Sequence, residues 1–182
     1  ADLSTYTPSE SIVFYEKVFG WKYHHQDGYY TAYLGNKEIV GLYETPKKFK
    51  QMRMPHFWMT YIQVSDVPAT IDKAKALGGI IEVVDESNPI GPITLIRDPQ
   101  GAGFTIYGGN YLNTRTQDAA NTLVWNEIQV SNMDKIIPFY EGIFDWTFQK
   151  MDNYFYHIYT SDGRHIADGS DIPNAYKGKY EY

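Results

Sequence analysis

Apolar and polar positions along the chain follow two periods. Some stretches place an apolar side chain at every second position, the period of a half-buried strand. Others place one every three to four positions, the period of an amphipathic helix. Asp2 to Tyr6 predicts a short strand. Thr7-Pro8-Ser9-Glu10 follows with the spacing of a capping box and a proline at the first helical position. Ile12, Tyr15 and Phe19 then fall on one helical face, and Gly20 closes the helix. Three strands are predicted next, over Trp21–Gln26, Tyr29–Leu34 and Lys37–Tyr43, with hairpin turns at Asp27-Gly28 and Gly35-Asn36.

The same order of elements occurs twice more. A strand over Phe57–Val64 leads to Asp66, a helix cap, and to Val67, Ile71, Ala74 and Leu77 at helical spacing, stopped by Gly78-Gly79. Strands over Ile80–Val84, Ile93–Arg97 and Phe104–Tyr107 complete this second unit. The third opens with a strand over Leu123–Val130 and a helix capped by Ser131 or Asn132, and continues with strands over Trp146–Met151, Tyr154–Thr160 and Arg164–Ala167. Pro138 fits this helix poorly: inside a helix proline costs roughly 3 kcal/mol, and a kink is expected. The first and third units also share wording. Phe14-Tyr15-Glu16-Lys17-Val18-Phe19-Gly20-Trp21 returns as Phe139-Tyr140-Glu141-Gly142-Ile143-Phe144-Asp145-Trp146, an ungapped offset of 125 residues. At the same offset Asp2-Leu3 lies over Glu127-Ile128, and Tyr29-Tyr30 over Tyr154-Phe155.

Each unit therefore reads βαβββ, and the fold class is α+β, with mixed sheets and helices on their outer faces. Residues 1–110 are expected to form a paired domain and 111–119 a linker within the polar stretch Gly108–Ala120. Residues 120–182 then hold a third module, half of a second domain. Such modules bury one sheet face against a partner, and the third is left over. It either pairs with another chain, giving a homodimer, or the sequence is cut before its natural end; the second expectation is preferred. The tail from Gly169 to Tyr182 carries no fourth module.

Composition narrows the function classes. Sixteen basic and 22 acidic residues give a net charge of −6, with no Lys/Arg stripe beyond Lys47, Lys48 and Lys50, so no nucleic-acid partner is expected. There is no cysteine, which excludes disulfides, thiolate zinc sites and a cysteine nucleophile together. No apolar run is long enough for a membrane span and no leader is evident, so a cytoplasmic location is expected. Seventeen tyrosines raise the aromatic share to 16%, which suits a cavity that holds a planar ligand. Gly101-Ala102-Gly103 precedes a strand rather than a helix, so it is no phosphate loop. No Gly-x-Ser-x-Gly elbow supports a serine hydrolase.

A βαβββ unit with Phe-Tyr-Glu-x-x-Phe-Gly-Trp at its helix resembles the vicinal oxygen chelate superfamily, which includes glyoxalase I, bleomycin-resistance proteins and extradiol dioxygenases. The second unit is similar through Tyr61-Ile62-Gln63-Val64-Ser65-Asp66-Val67, Ala76-Leu77-Gly78-Gly79 and Arg97-Asp98-Pro99-Gln100-Gly101. The resemblance covers almost all of residues 1–168 and implies tandem modules forming open, incompletely closed barrels. It also implies a divalent metal held by first-strand His, Gln or Glu and last-strand Glu. The matching positions here are Met59 and Trp125 on first strands and Thr105 on a last strand, none a plausible ligand. No metal and no other cofactor is therefore expected.

The resemblance thus implies a metal-independent protein binding a small, possibly aromatic molecule in a tyrosine-lined cavity. The alternative is a metal-dependent lyase, isomerase or dioxygenase. Expected ligand contacts are Trp58, Met59, Tyr61, Tyr30, Tyr43, Thr105, Tyr107 and Trp125. His56, at the start of its strand, is a candidate general base, and Asp2 and Glu127, at equivalent strand positions, are candidate acid–base groups. His157, His165 and Asp168 lie on neighbouring strands, but no spacing in the sequence demands a metal there.

Overall fold

The computed structural model describes residues 1–172; the remainder of the tail expected to lack a fourth module lies outside the described residues. The chain divides into two compact units, one of Ala1–Thr60 with Asn110–Val124, the other of Tyr61–Gly109 with Trp125 onward. The described residues form three mixed sheets and four α-helices, without a closed barrel, as the α+β reading anticipates.

The first unit contains β1 (Asp2–Thr5), α1 (Pro8–Phe19), β2 (Lys22–Gln26), β3 (Tyr29–Leu34), β4 (Lys37–Glu44), a short helix α2 (Lys47–Gln51) and β5 (Phe57–Met59). Its sheet runs β2-β3-β4-β1-β5, with β1 parallel to β4 and antiparallel to β5. Thr7 makes no side-chain cap, contrary to the capping-box reading, while Pro8 and a left-handed Gly20 (φ 72°) bound α1 as expected. Helix α2 was not anticipated; five residues are too few for periodicity to show. Trp21, Ala32, Ile39 and Val40 pack with Tyr15 and Phe19 of α1 into one core. Along the outer side of α1, Val13, Phe14 and Val18 are exposed.

The strand expected over 57–64 is two pieces broken at Thr60. Its second piece, β6 (Tyr61–Gln63), opens the other unit and lies parallel to β9 (Gly103–Tyr107). With α3 (Val67–Ala76), β7 (Ile80–Asp85) and β8 (Ile93–Arg97) it makes a sheet ordered β6-β9-β8-β7. Then come β10 (Glu127–Val130), α4 (Met133–Phe144), β11 (Thr147–Lys150), β12 (Phe155–Tyr159) and β13 (His165–Asp171), in the order β10-β13-β12-β11. The caps follow the sequence: Asp66 Oδ1 accepts from the Ala69 amide at 2.9 Å, and Asn132 Oδ1 from that of Lys135 at 3.0 Å. Helix α4 runs through Pro138 without ending. The proline ring is exposed, while Met133, Ile136, Phe139, Tyr140 and Ile143 are all buried, so packing offsets the lost hydrogen bond.

Within this unit α3 and α4 share one core with Ile96, Phe104, Ile106, Val130 and Tyr156. Two features fix their approach. Asp98, buried in a turn, accepts from the amides of Gln100 and Ala102 and from the Tyr140 hydroxyl at 3.0 Å. Burial pushes the Asp98 carboxyl above its ordinary range, against the pull of those hydrogen bonds. Gly79 leaves the gap into which the Phe139 ring fits; a Cβ there would lie 2.8 Å from that ring and 2.9 Å from the Ala74 carbonyl oxygen. Because backbone cannot swing aside as a side chain can, Gly79→Ala is expected to destabilise the protein by about 1–3 kcal/mol, read as a lowered urea midpoint.

Candidate functional site

In each module a helix covers one face of the sheet. The chemistry of the other face follows from which strand positions alternate onto it. In the first module that face carries Asp2, with Gly41 and Met59 as its cross-strand partners. Asp2 is buried and fully engaged. Its Oδ1 accepts from the Gly41 amide at 3.0 Å and from Arg115 at 2.7 Å; its Oδ2 accepts from the Tyr29 hydroxyl at 2.8 Å. Arg115 also donates to Tyr29 at 2.8 Å and to Glu38 at 2.9 Å, and Glu38 accepts from Tyr111 at 3.0 Å. Burial disfavours the guanidinium charge, but Asp2 and Tyr29 outweigh it and hold Arg115 protonated. Burial, with Asp2 second, pushes the neighbouring Tyr43 up to about 12. Asp2, a candidate acid–base residue in the sequence, is thus the anchor on which the 110–124 segment is fastened. Gly41 is what admits it: a side chain there would collide with the Tyr29 hydroxyl and the Asp2 carboxylate.

The other expected site residues of this unit separate by face. Met59 and Tyr43 share the Asp2 side of the sheet. Trp58, paired with Leu3, points to the α1 side, where it donates to the Tyr15 hydroxyl at 3.2 Å and meets Trp21 edge-on. Tyr30 also alternates away from Asp2 and stacks on His25 at 4.4 Å. Neither joins Met59, and the cause is strand alternation. His56 is exposed, stacked on Tyr6 and hydrogen-bonded through Nδ1 to Thr5 Oγ1 at 3.0 Å.

In the second module, parallel register places Tyr61 beside Thr105, on the face away from the core residues Ile62 and Ile106. Thr105 and Tyr107 are buried, and the Tyr107 hydroxyl donates to the Ile90 carbonyl at 2.8 Å. Met59 and Thr105, the family ligand positions, supply no good donor for a divalent cation, and the metal the family resemblance implies does not fit there.

The third module presents a different surface. Parallel register sets Glu127 beside Asp168 and antiparallel register sets Asp168 beside His157. His157 Nδ1 and His165 Nε2 lie 2.7 and 3.0 Å from the same oxygen, Asp168 Oδ1, and Trp125 Nε1 donates to Oδ2 at 3.0 Å. Burial works to raise the Asp168 carboxyl, but hydrogen bonds from His157, His165 and Trp125 leave it below the usual carboxylate range. His165 and Asp168 are three residues apart, a spacing that would put them on opposite faces of a regular strand. A register shift opposite Ile158 and Tyr159 restores them to one face. Tyr159 stacks on His165 at 5.0 Å, and Trp125 meets it edge-on at 4.9 Å. Glu127 and Trp125 are exposed here, and Glu127 lies 3.5 Å from the Gln129 amide.

Two of these features had a readable signal. Tyr61 stands five residues before the cap Asp66, and Glu127 five before the cap Asn132. Their parallel partners, Thr105 and Asp168, are therefore equivalent, and the count applied to the second module finds a carboxylate in the third. Arg115 had no signal; it lies in a polar connection.

The comparisons agree with this architecture. Residues 3–106 match the family described as Glyoxalase/Bleomycin resistance protein/Dioxygenase superfamily, and the chain belongs to it. A Mycobacterium tuberculosis protein named "Putative glyoxylase CFP32" is 30% identical over 158 residues, which is 83% of this chain and 60% of that protein. Among solved structures, an extradiol ring-cleaving dioxygenase from B. fuscum superposes with a TM-score of 0.61 at 15% identity, over 94% of this chain and 52% of that one. The 2,3-dioxygenase LapB from Pseudomonas sp. KL28 gives 0.58 at 12% identity, over 96% and 69%. The chain thus spans 60% of the curated relative and about half of the B. fuscum enzyme. Among the described residues no helix is long and apolar enough to cross a membrane.

Arg115→Met strands a buried carboxylate and is expected to cost about 3–5 kcal/mol by urea unfolding; adding Asp2→Asn recovers part of that loss. Tyr43 stays neutral in the folded state up to about pH 12, whereas an unfolded tyrosine ionises near ~10. Its stabilisation is full below the unfolded value and is lost as pH rises through the folded one. The urea midpoint should fall across that alkaline window, and less steeply in Tyr43→Phe.

Proposed function

We propose that the chain binds a small planar organic molecule on the helix-free faces of its sheets, without a metal at the family positions Met59 and Thr105. The observation that carries this is the third module's face. There Trp125, His157, Tyr159 and His165 surround a carboxylate, and Trp125 is left 40% exposed. Aromatic rings with one apolar side and a few directed polar atoms suit such a ligand. Each face is read by itself: Trp125 and Glu127 are the contacts on the third module's face, Tyr61, Thr105 and Tyr107 those on the second's, and Met59 and Tyr43 those on the first's. Asp2 acts as an anchor rather than a proton carrier, and Trp58 and Tyr30 are set aside by register. His56 remains the candidate base of the first unit. The expected division into a paired domain over residues 1–110, a linker over 111–119 and a third module over 120–182 belongs to the same reading. Homodimerisation through the third module and a cytoplasmic location also belong to it.

A metal-dependent lyase, isomerase or dioxygenase is the second reading. It is favoured by the His157–Asp168–His165 cluster. The glyoxylase and dioxygenase names of the relatives point the same way.

Catechol and phenylacetate, offered separately to the full chain, test the first reading by ligand-observed saturation-transfer NMR. Saturable transfer is expected, with Trp125→Ala weakening binding by about tenfold, ~1.4 kcal/mol, and Trp58→Phe leaving it unchanged. No transfer from either compound, or equal binding by Trp125→Ala, overturns the reading.

A further inference from the structure

Neither histidine of the third-module cluster stands at a ligand position implied by the family resemblance, which draws on first strands and last strands of paired modules. Only Asp168 shares the last-strand register of Thr105. From β12, β13 and the bulge between them, we infer that His157 Nδ1, His165 Nε2 and Asp168 Oδ1 form a binding site for one divalent first-row transition-metal cation, built within a single module.

Three features carry this. The first is convergence. The three donor atoms all lie within 4.8 Å of one another, and both nitrogens face one oxygen at 2.7 and 3.0 Å. For a cation about 2.1 Å from each donor, neighbouring ligands stand about 3 Å apart, so the separations at Asp168 already match adjacent coordination positions.

The second is the donor set. Two imidazoles with one carboxylate suit iron, zinc, cobalt, nickel or manganese rather than calcium or magnesium, and leave the remaining positions open. The third is support around the ligands. Trp125 holds Asp168 Oδ2, which frees Oδ1 to bind as a single-oxygen ligand and fixes the carboxylate plane. Tyr159 stacked on His165, and Phe155 edge-on to His157, limit how far the rings can turn.

The bulge is what makes the site possible. With Ile158 opposite Ala167 and Tyr159 opposite His165, Ile166 is the extra residue. Removing it would turn His165 to the core side and leave two ligands. His157, His165 and Asp168 have side-chain exposures of 26%, 34% and 13%, so the cation can enter from solvent and an organic molecule can complete its shell. This extends to a cation the face on which an aromatic ligand is proposed, but does not depend on that ligand.

The test is titration of the metal-free full chain with Co²⁺, followed by visible absorption, then displacement by Zn²⁺. One equivalent is expected to saturate the bands. His157→Ala and His165→Ala should each weaken binding by more than tenfold, while His24→Ala/His25→Ala leaves it unchanged. Trp125→Phe should keep the bands with affinity reduced by about tenfold, as for other groups that orient a ligand, and should abolish quenching of tryptophan fluorescence by Co²⁺. Circular dichroism and urea midpoints confirm that each variant is folded. Absence of bands in the folded wild-type chain overturns the proposal, as does a loss shared equally by the His24/His25 control. Because no organic compound is present, this outcome is separate from that of the catechol experiment.

Discussion

A β-sheet has two faces, and among the described residues a helix covers only one face in each module. Everything distinctive about the protein depends on what happens to the other. A buried polar face must have its hydrogen bonds made, or it destabilises the fold. The first module meets this with Asp2, whose two oxygens take Gly41, Tyr29 and Arg115 as donors. The segment carrying Arg115 is thereby fastened by the chain's own charge pair. In the third module the same register position, the cross-strand partner of the first-strand acid, is Asp168 instead of Gly41. A carboxylate replaces the gap, and two histidines take the place of the guanidinium.

That single exchange explains why closely similar wording yields different surfaces. Gly41 gives space for Tyr29 to reach Asp2, so the carboxylate there is a structural anchor. At Asp168 the carboxylate itself projects: His157 and His165 meet its Oδ1, and Trp125 donates to its Oδ2. The helices show a parallel divergence. Phe139 of α4 is buried in the notch left by Gly79, whereas its repeat counterpart Phe14 in α1 is exposed. The repeat conserves the backbone plan, down to left-handed closures at Gly20 and Asp145, while the surroundings decide the role of each side chain.

Much of the fold was legible in the sequence because it rests on local signals. Alternation marks the strands, Asp66 and Asn132 mark helix starts, and the 125-residue repeat marks the modules. What escaped was non-local. Pro138 is tolerated because buried neighbours on α4 outweigh its missing hydrogen bond, and no local rule sees those neighbours. The break at Thr60 and the bulge beside Tyr159 shift alternation by one residue, which a regular count cannot anticipate. Trp58 and Tyr30 were expected on the ligand face, but register turns them toward α1 and His25. Arg115 acts across more than a hundred residues of sequence from a connection without periodicity.

The most direct measurement of the central claim, that the third module's free face converges on one cation position, is a long-range ¹H–¹⁵N spectrum of the imidazoles during Zn²⁺ addition. Of the five histidines, the account predicts that His157 shifts through Nδ1 and His165 through Nε2, together and saturating at one equivalent. His24, His25 and His56 should stay still. Shifts spread over all five, or none at either third-module ring, would contradict it.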